Sequence, residues 1–176
     1  KGSISVKINV IVPMSHSASK TPNACHILLS NWNLIDNYAR HYNSNINRMF
    51  DQITPSIRSI KSDDDGIEEY AQMEITFRIP EHIDIKEIQS HLKAIVKPPA
   101  KLKVISGSVN AYRSPKNSQL VRAALKAIRN KNGTPSFVLK TGTSDMNIVA
   151  PIWKCPTIAY GPGDSNMDHT PNEHIS

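Results

Sequence analysis

Three stretches of this chain carry side chains whose types and spacing could do chemistry. Residues 159–175, AYGPGDSNMDHTPNEHI, end a β-compatible run in a Gly/Pro loop that delivers Asp168 and His169 to the start of a helix. Thr170, Pro171 and Glu173 form a T-x-x-E capping box with proline at N1, which would fix the backbone entering that helix and hold His169 just outside it. An imidazole on rigid support suits a divalent cation, but one histidine does not define a site. The same residues read equally well as a polar loop with a capping glutamate. Residues 140–147, KTGTSDMN, set Gly142 and Thr143 in a loop after a second β-compatible run, where backbone N–H groups could face a carbonyl or an anion. A plain capped turn with Asp145 as N-cap is the alternative there. Residues 13–23, PMSHSASKTPN, expose His16 among small polar residues, either as a hydrogen-bond donor in catalysis or as a solvated bystander. His26, His41, His82, His91 and His174 share no i, i+4 face with a carboxylate, and no Walker loop, GxSxG elbow or HExxH motif occurs.

The elements that must hold these segments follow from hydrophobic periodicity. Ile4, Val6, Ile8 and Val10 alternate with polar residues, the period of a half-buried strand. Thr21 and Pro22 supply an N-cap and N1 for an amphipathic helix reaching about Tyr42. A β-compatible stretch from Gln52 to Ile60 and an alternating strand from Met73 to Ile79 flank a hairpin turn at Ser62–Gly66. Asp84 caps a helix whose stripe is Ile85, Ile88, Leu92 and Ile95, and a last strand runs from about Leu102 to Ala111. This βαββαβ order over residues 1–112 predicts a ferredoxin-like domain with two helices on one face of an antiparallel sheet. Residues 113–176 change character. Asn117 or Ser118 opens a helix bearing Leu120, Val121, Ala124, Leu125 and Ile128, closed by Gly133 at C′. Short β runs at Ser136–Leu139 and Thr157–Tyr160, separated by Gly-, Thr- and Pro-rich loops, fit an α/β unit with functional loops at strand ends.

The composition limits the function classes. With 176 residues and 39% hydrophobic content the chain can bury a core, and its net charge of +6 favours an acidic partner without choosing among nucleic acid, membrane and protein. Aromatic residues are few, Phe77 sits on an apolar strand face, and no K/R-G-F/Y-x-F/Y motif occurs, so an RNA-binding sheet is not expected. No apolar run of membrane-spanning length and no signal peptide is present, which points to a cytoplasmic protein. Cys25 and Cys155 lack CxxC spacing and are expected to be buried, reduced thiols. The chain starts at Lys1 without methionine, almost directly in a strand, and reads as a fragment.

Taken together, Ser15–His16 before Pro22–Ala24, the Gly142–Asp145 loop and the His169 segment resemble the zinc-dependent deacylase and carboxypeptidase family. That family includes acetylornithine deacetylase and succinyl-diaminopimelate desuccinylase. The finer run, KTGTSDMN followed by AYGPGDSNMDHTPNEHI, is most similar to its members that release lysine or ornithine from an amino-group carrier protein. The resemblance covers nearly all of the chain. It implies a ferredoxin-like lid, through which a homodimer would form, followed by the C-terminal part of an α/β catalytic domain. It implies His16 as the lid histidine that polarises the scissile carbonyl, Gly142 and Thr143 as substrate-pocket residues, and His169 as the last metal ligand. Two divalent metal ions, zinc or alternatively cobalt, are expected as cofactors, and the site is incomplete in this chain because the family's His-x-Asp motif, bridging aspartate and Glu-Glu pair are missing. Where relatives carry N-x-I-P near the substrate carboxylate this chain reads Ser56, Ile57, Arg58 and Ser59. Arg58 or Arg113 would then make that contact, unless both are ordinary surface arginines, and the same question attaches to Arg78. The implied partner is a small acidic carrier protein. The other readings are a deacylase acting on free acylated amino acids or dipeptides, and a dimerisation module without catalysis.

Overall fold

The computed structural model describes residues 1–105, 107–161, 167–168 and 170–175. Strand β1 (Gly2–Pro13) turns Ile4, Val6, Ile8 and Val10 inward, all but fully buried, while Ser5, Lys7 and Asn9 stay half-exposed on the other face. It pairs antiparallel along its whole length with β3 (Glu68–Ile79), from Gly2 opposite Ile79 to Pro13 opposite Glu68. Strand β2 (Thr54–Asp64) lies outside β3, and β4 (Lys101–Val104) outside β1, giving the order β2-β3-β1-β4. This is the split βαββαβ arrangement. Helices α1 (Ala24–Asn43) and α2 (Ile85–Ile95) cover one face, and their Leu28, Ile35, Ile88 and Leu92 close the core over Met73, Ile75 and Phe77. The uncovered face is polar, with Ser5 bonded to Thr76 at 2.8 Å and Lys7 paired with Glu74 at 2.8 Å.

Several boundaries differ from expectation for local reasons. Helix α1 begins at Ala24 rather than at Pro22, because Asn23 is the cap: its Oδ1 accepts from the His26 N–H at 2.8 Å, and Glu69 accepts a second orphan donor, the Ala24 N–H, at 2.9 Å. The β2–β3 hairpin turns later than Ser62, around Gly66 at φ +85°, where Asp65 accepts from the Ile67 and Glu68 N–H groups. Strand β4 is shorter than the Leu102–Ala111 expected. Between the pairs Val6–Val104 and Ser3–Val109, three steps along β1 match five along its neighbour, so the ladder breaks around Gly107 at φ +95° and resumes as a single bridge.

After the sheet, helix α3 (Gln119–Asn130) is capped by Ser118, whose Oγ accepts from Val121 N–H at 3.2 Å, as read from the sequence. Its end is a Schellman turn in which Asn132, not Gly133, holds the left-handed position at φ +60°. Gly133 donates to Ile128 O at 2.9 Å, and a Cβ there would meet the Ile128 side chain at 2.7 Å. Helix α4 (Met146–Trp153) follows Asp145, which occupies the cap position without a side-chain cap bond. Ser136–Leu139 and Thr157–Tyr160 are not strands, since a β run needs a ladder neighbour and none is paired with them among the described residues. Thr170 and Glu173 form a turn instead of a capping box: Thr170 Oγ1 donates to Met167 O at 2.8 Å, and the Glu173 N–H reaches the Thr170 carbonyl at 3.1 Å. Cys25 and Cys155 are both free thiols, but neither is buried. Cys25 is half-buried at the margin of the core with its Sγ on Ser62 Oγ at 3.0 Å, and Cys155 is exposed in the loop after α4. No helix among the described residues is long and apolar enough to cross a membrane.

Candidate functional site

The Gly142–Thr143 loop is seated against the start of β1 by one connected set of hydrogen bonds. Thr143 Oγ1 donates to the Lys1 carbonyl at 3.0 Å and accepts from Arg78 Nη1 at 2.8 Å. Asn147, in the first turn of α4 and only 6% exposed, donates to Lys1 O at 3.1 Å and Asn110 O at 3.0 Å, and its Oδ1 accepts from Ser144 N–H at 3.1 Å. Asn110 in turn accepts from the Ile85 N–H that opens α2. Gly2 permits this crowding: a Cβ there would lie 2.7 Å from both Ala111 N and Val109 O. Burial lowers the Lys1 side-chain amine to about 8, against the raising effect of Asp51, and the amine donates to Gln52 O at 2.6 Å.

The residues singled out in the sequence fall into separate places. Gly142 is exposed, with open space where a side chain would be. The Thr143 hydroxyl has spent its one donor on the Lys1 carbonyl and one lone pair on Arg78. His16 is exposed in the loop after β1, with Nδ1 accepting from Ala18 N–H at 3.1 Å. β1 runs twelve residues between that loop and Lys1, about 35 Å at a strand's rise per residue. One copy of the chain therefore does not bring His16 to Thr143. Arg58 is exposed as the extra residue of a β-bulge, between the pairs Ile57–Ile75 and Ser59–Glu74. Arg113 is half-exposed and faces Glu81 at 3.8 Å. Of the three arginines, it is Arg78 whose guanidinium reaches the loop.

His169 lies outside the described residues. Its neighbour Asp168 accepts from Lys140 Nζ at 2.9 Å, which ties that segment to the residue opening KTGTSDMN. Ser114 Oγ donates to Thr157 O and so anchors the intervening run. Among the described residues no group of three or more His, Cys, Asp or Glu side chains is placed to hold a metal ion, so they do not by themselves fit a metal centre. The residues missed from the sequence were Asn147 and Asn110. The available signal was a lone amide in the otherwise apolar helix MNIVAPIW, where a buried polar group must find partners.

No protein-family model matches the chain. It is 34% identical over 178 residues to the LysW-lysine hydrolase of Deinococcus radiodurans, an alignment covering 99% of this chain and 49% of that protein. A LysW-lysine/LysW-ornithine hydrolase of Sulfurisphaera tokodaii is 45% identical over 60 residues, covering 34% of this chain and 17% of that protein. The chain spans about half the length, or less, of the curated relatives it matches. In fold it is similar to an M20 family metallo-carboxypeptidase of Sulfolobus solfataricus, with a TM-score of 0.66 and 15% identity over 99% of this chain and 55% of that one.

Proposed function

We propose that the chain is part of an M20-type metallopeptidase, forming the lid and closing segment of a hydrolase that releases lysine or ornithine from the C-terminal glutamate of a small acidic carrier protein. The observation that carries this reading is identity to LysW-lysine hydrolase running through 99% of the chain, the sheet and the Gly142 loop alike. We take residues 1–112 as the lid and 113–176 as part of the catalytic domain. The reaction is cytoplasmic and belongs to lysine or arginine biosynthesis.

Members of this family depend on divalent metal, here taken to be zinc with cobalt as the alternative, which supplies Lewis-acid polarisation of an amide carbonyl. His169 would be this chain's contribution to that centre, and the remaining ligands and the general base would come from outside residues 1–176. The chain's own residues position the substrate. Backbone groups of Gly142 and Thr143 line the pocket, and Arg78, rather than Arg58 or Arg113, offers its remaining guanidinium N–H groups to the substrate carboxylate from beside the loop. His16 donates to the developing oxyanion. With about 35 Å of strand between His16 and the loop of its own copy, a second copy paired through the lid supplies it.

The test is release of free lysine, followed by mass spectrometry, from full-length protein given carrier-linked lysine in competition with N-acetyl-lysine and lysyl dipeptides. Cleavage of the carrier conjugate is expected, and turnover confined to the small amides would sink the carrier reading. His16→Ala should lower kcat by about two to three orders of magnitude, and unchanged turnover would make the lid histidine a bystander.

A further inference from the structure

The chain's basic residues are not evenly spread. Residues 88–144 hold eleven of the 21 Lys and Arg residues and none of the 15 Asp and Glu residues. Within this stretch α3 sorts its side chains by face. Val121 is buried on the same side as Leu125 and Ile128, while Arg122, Lys126 and Arg129, spaced i, i+4, i+7, are all exposed on the adjoining flank, about 100° round the helix at about 3.6 residues per turn. That spacing makes a cationic stripe about 10 Å long, two helical turns. Among the described residues no carboxylate pairs with any of the three: Arg122 bonds the neutral Asn117 at 2.6 Å, and the ion pairs of the region, Arg113–Glu81 and Lys140–Asp168, lie elsewhere. With the apolar stripe of α3 turned toward protein, this basic flank remains exposed beside it.

We infer that the Arg122–Lys126–Arg129 face of α3 is the docking surface for a carboxylate-rich protein partner, which on the reading above is the acidic carrier itself. Charge complementarity selects the occupant. A row of unpaired cations attracts an acidic surface, speeds encounter and fixes register, and its effect falls with salt over a screening length of about 8 Å. A single-stranded nucleic acid would want exposed rings to stack on, and of the two aromatic side chains of this stretch Tyr112 is half-buried and Phe137 is already beneath the Lys116 ammonium at 5.2 Å. The position also suits the chemistry: the chain leaves α3 through a short connection into Lys140 and the Gly142–Thr143 loop.

The inference rests on the proposed function, and the experiment separates the two. Binding of fluorescently labelled, lysine-bearing carrier to full-length protein is followed by anisotropy, for wild type and for the triple variant Arg122→Gln, Lys126→Gln, Arg129→Gln, at two salt concentrations. Hydrolysis of the small glutamyl-lysine amide is assayed alongside. The expected result is affinity for the carrier weakened about tenfold or more with a shallower salt dependence, and small-amide turnover unchanged, which also reports that the variant is folded. Equal affinity and equal salt dependence in the two proteins would overturn the docking surface. So would wild-type binding to single-stranded RNA or to anionic phosphatidylserine vesicles in preference to the carrier. If the carrier binds through α3 but is never cleaved, the docking surface stands and the hydrolase reading falls.

Discussion

The sheet and its two helices, and the segment that follows them, solve the burial problem differently. Residues 1–104 carry an apolar face on every element and bring those faces together, so that Ile4, Ile8, Ile35, Met73, Phe77, Ile88 and Leu92 are all but sealed from solvent. In α3, α4 and their flanking loops the apolar residues are just as plain in sequence, yet Val121 and Ala150 are the buried hydrophobic side chains there among the described residues. Trp153 is 67% exposed and Val138 78%. An amphipathic helix buries its stripe only against a second layer. Residues 1–104 contain their own layers, whereas the later segment is held to them chiefly by polar contacts at Lys1, Asn110, Thr143 and Asn147. One region is stabilised by burial, the other located by hydrogen bonds.

Substitutions can break this contrast. The largest effect is expected at Phe77: Phe77→Ala should destabilise the 176-residue chain by about 3–5 kcal/mol in denaturant unfolding, while Trp153→Ala should stay within about 0.5 kcal/mol. Equal costs in this chain would erase the distinction. Asn147→Ala comes next. It strands the Asn110 carbonyl and the Ser144 N–H, at a cost of about 1–3 kcal/mol per group left unpaired, and leaves the Lys1 carbonyl with the Thr143 hydroxyl. Amide exchange should rise at Thr143 and Ser144 and remain unchanged in the middle of β1; faster exchange throughout β1 would mean that the loop and the sheet are a single cooperative unit. The smallest effect is a pH response at the hairpin tip. The Glu68 N–H, the Tyr70 hydroxyl and the Ile67 N–H hold the Asp65 carboxyl down at about 2 from an ordinary 3.8. A depressed carboxyl stabilises the fold above its unfolded value and loses that contribution as pH falls, so the tip should loosen between about pH 4 and pH 2. The Asp65 partnership raises the Tyr70 phenol to about 12, so its share persists below pH 10 and is lost as pH climbs through about 12. Tyr70 ring resonances followed by NMR should move in the acid window and cease to do so in Asp65→Asn.

Much of the architecture was legible in the amino-acid order because its signals are local. Alternation in β1 and β3 and the Asp84 and Ser118 caps each depend on residues a few positions apart, and each stands where the pattern put it. Errors arose where a distant residue intervened. Glu69 helps Asn23 start α1 late, and β1 decides where its neighbour stops being a strand at Val104. The β runs at Ser136–Leu139 and Thr157–Tyr160 have the composition of strands, but a strand is a property of a pair.

The candidate site divides in the same way. His16, Gly142 and Thr143 were recognisable from residue type and a short motif, because loops rich in small polar residues around a histidine or a glycine announce themselves locally. That His16 and Thr143 stand at opposite ends of one twelve-residue strand, that Arg78 and neither Arg58 nor Arg113 reaches the loop, and that Asn147 pins it are outcomes of strand register. Sequence fixes which side chains a strand presents and on which face. Only the pairing of β1 with β3, which sets Arg78 opposite Ser3 at the edge nearest the loop, decides which of them meet.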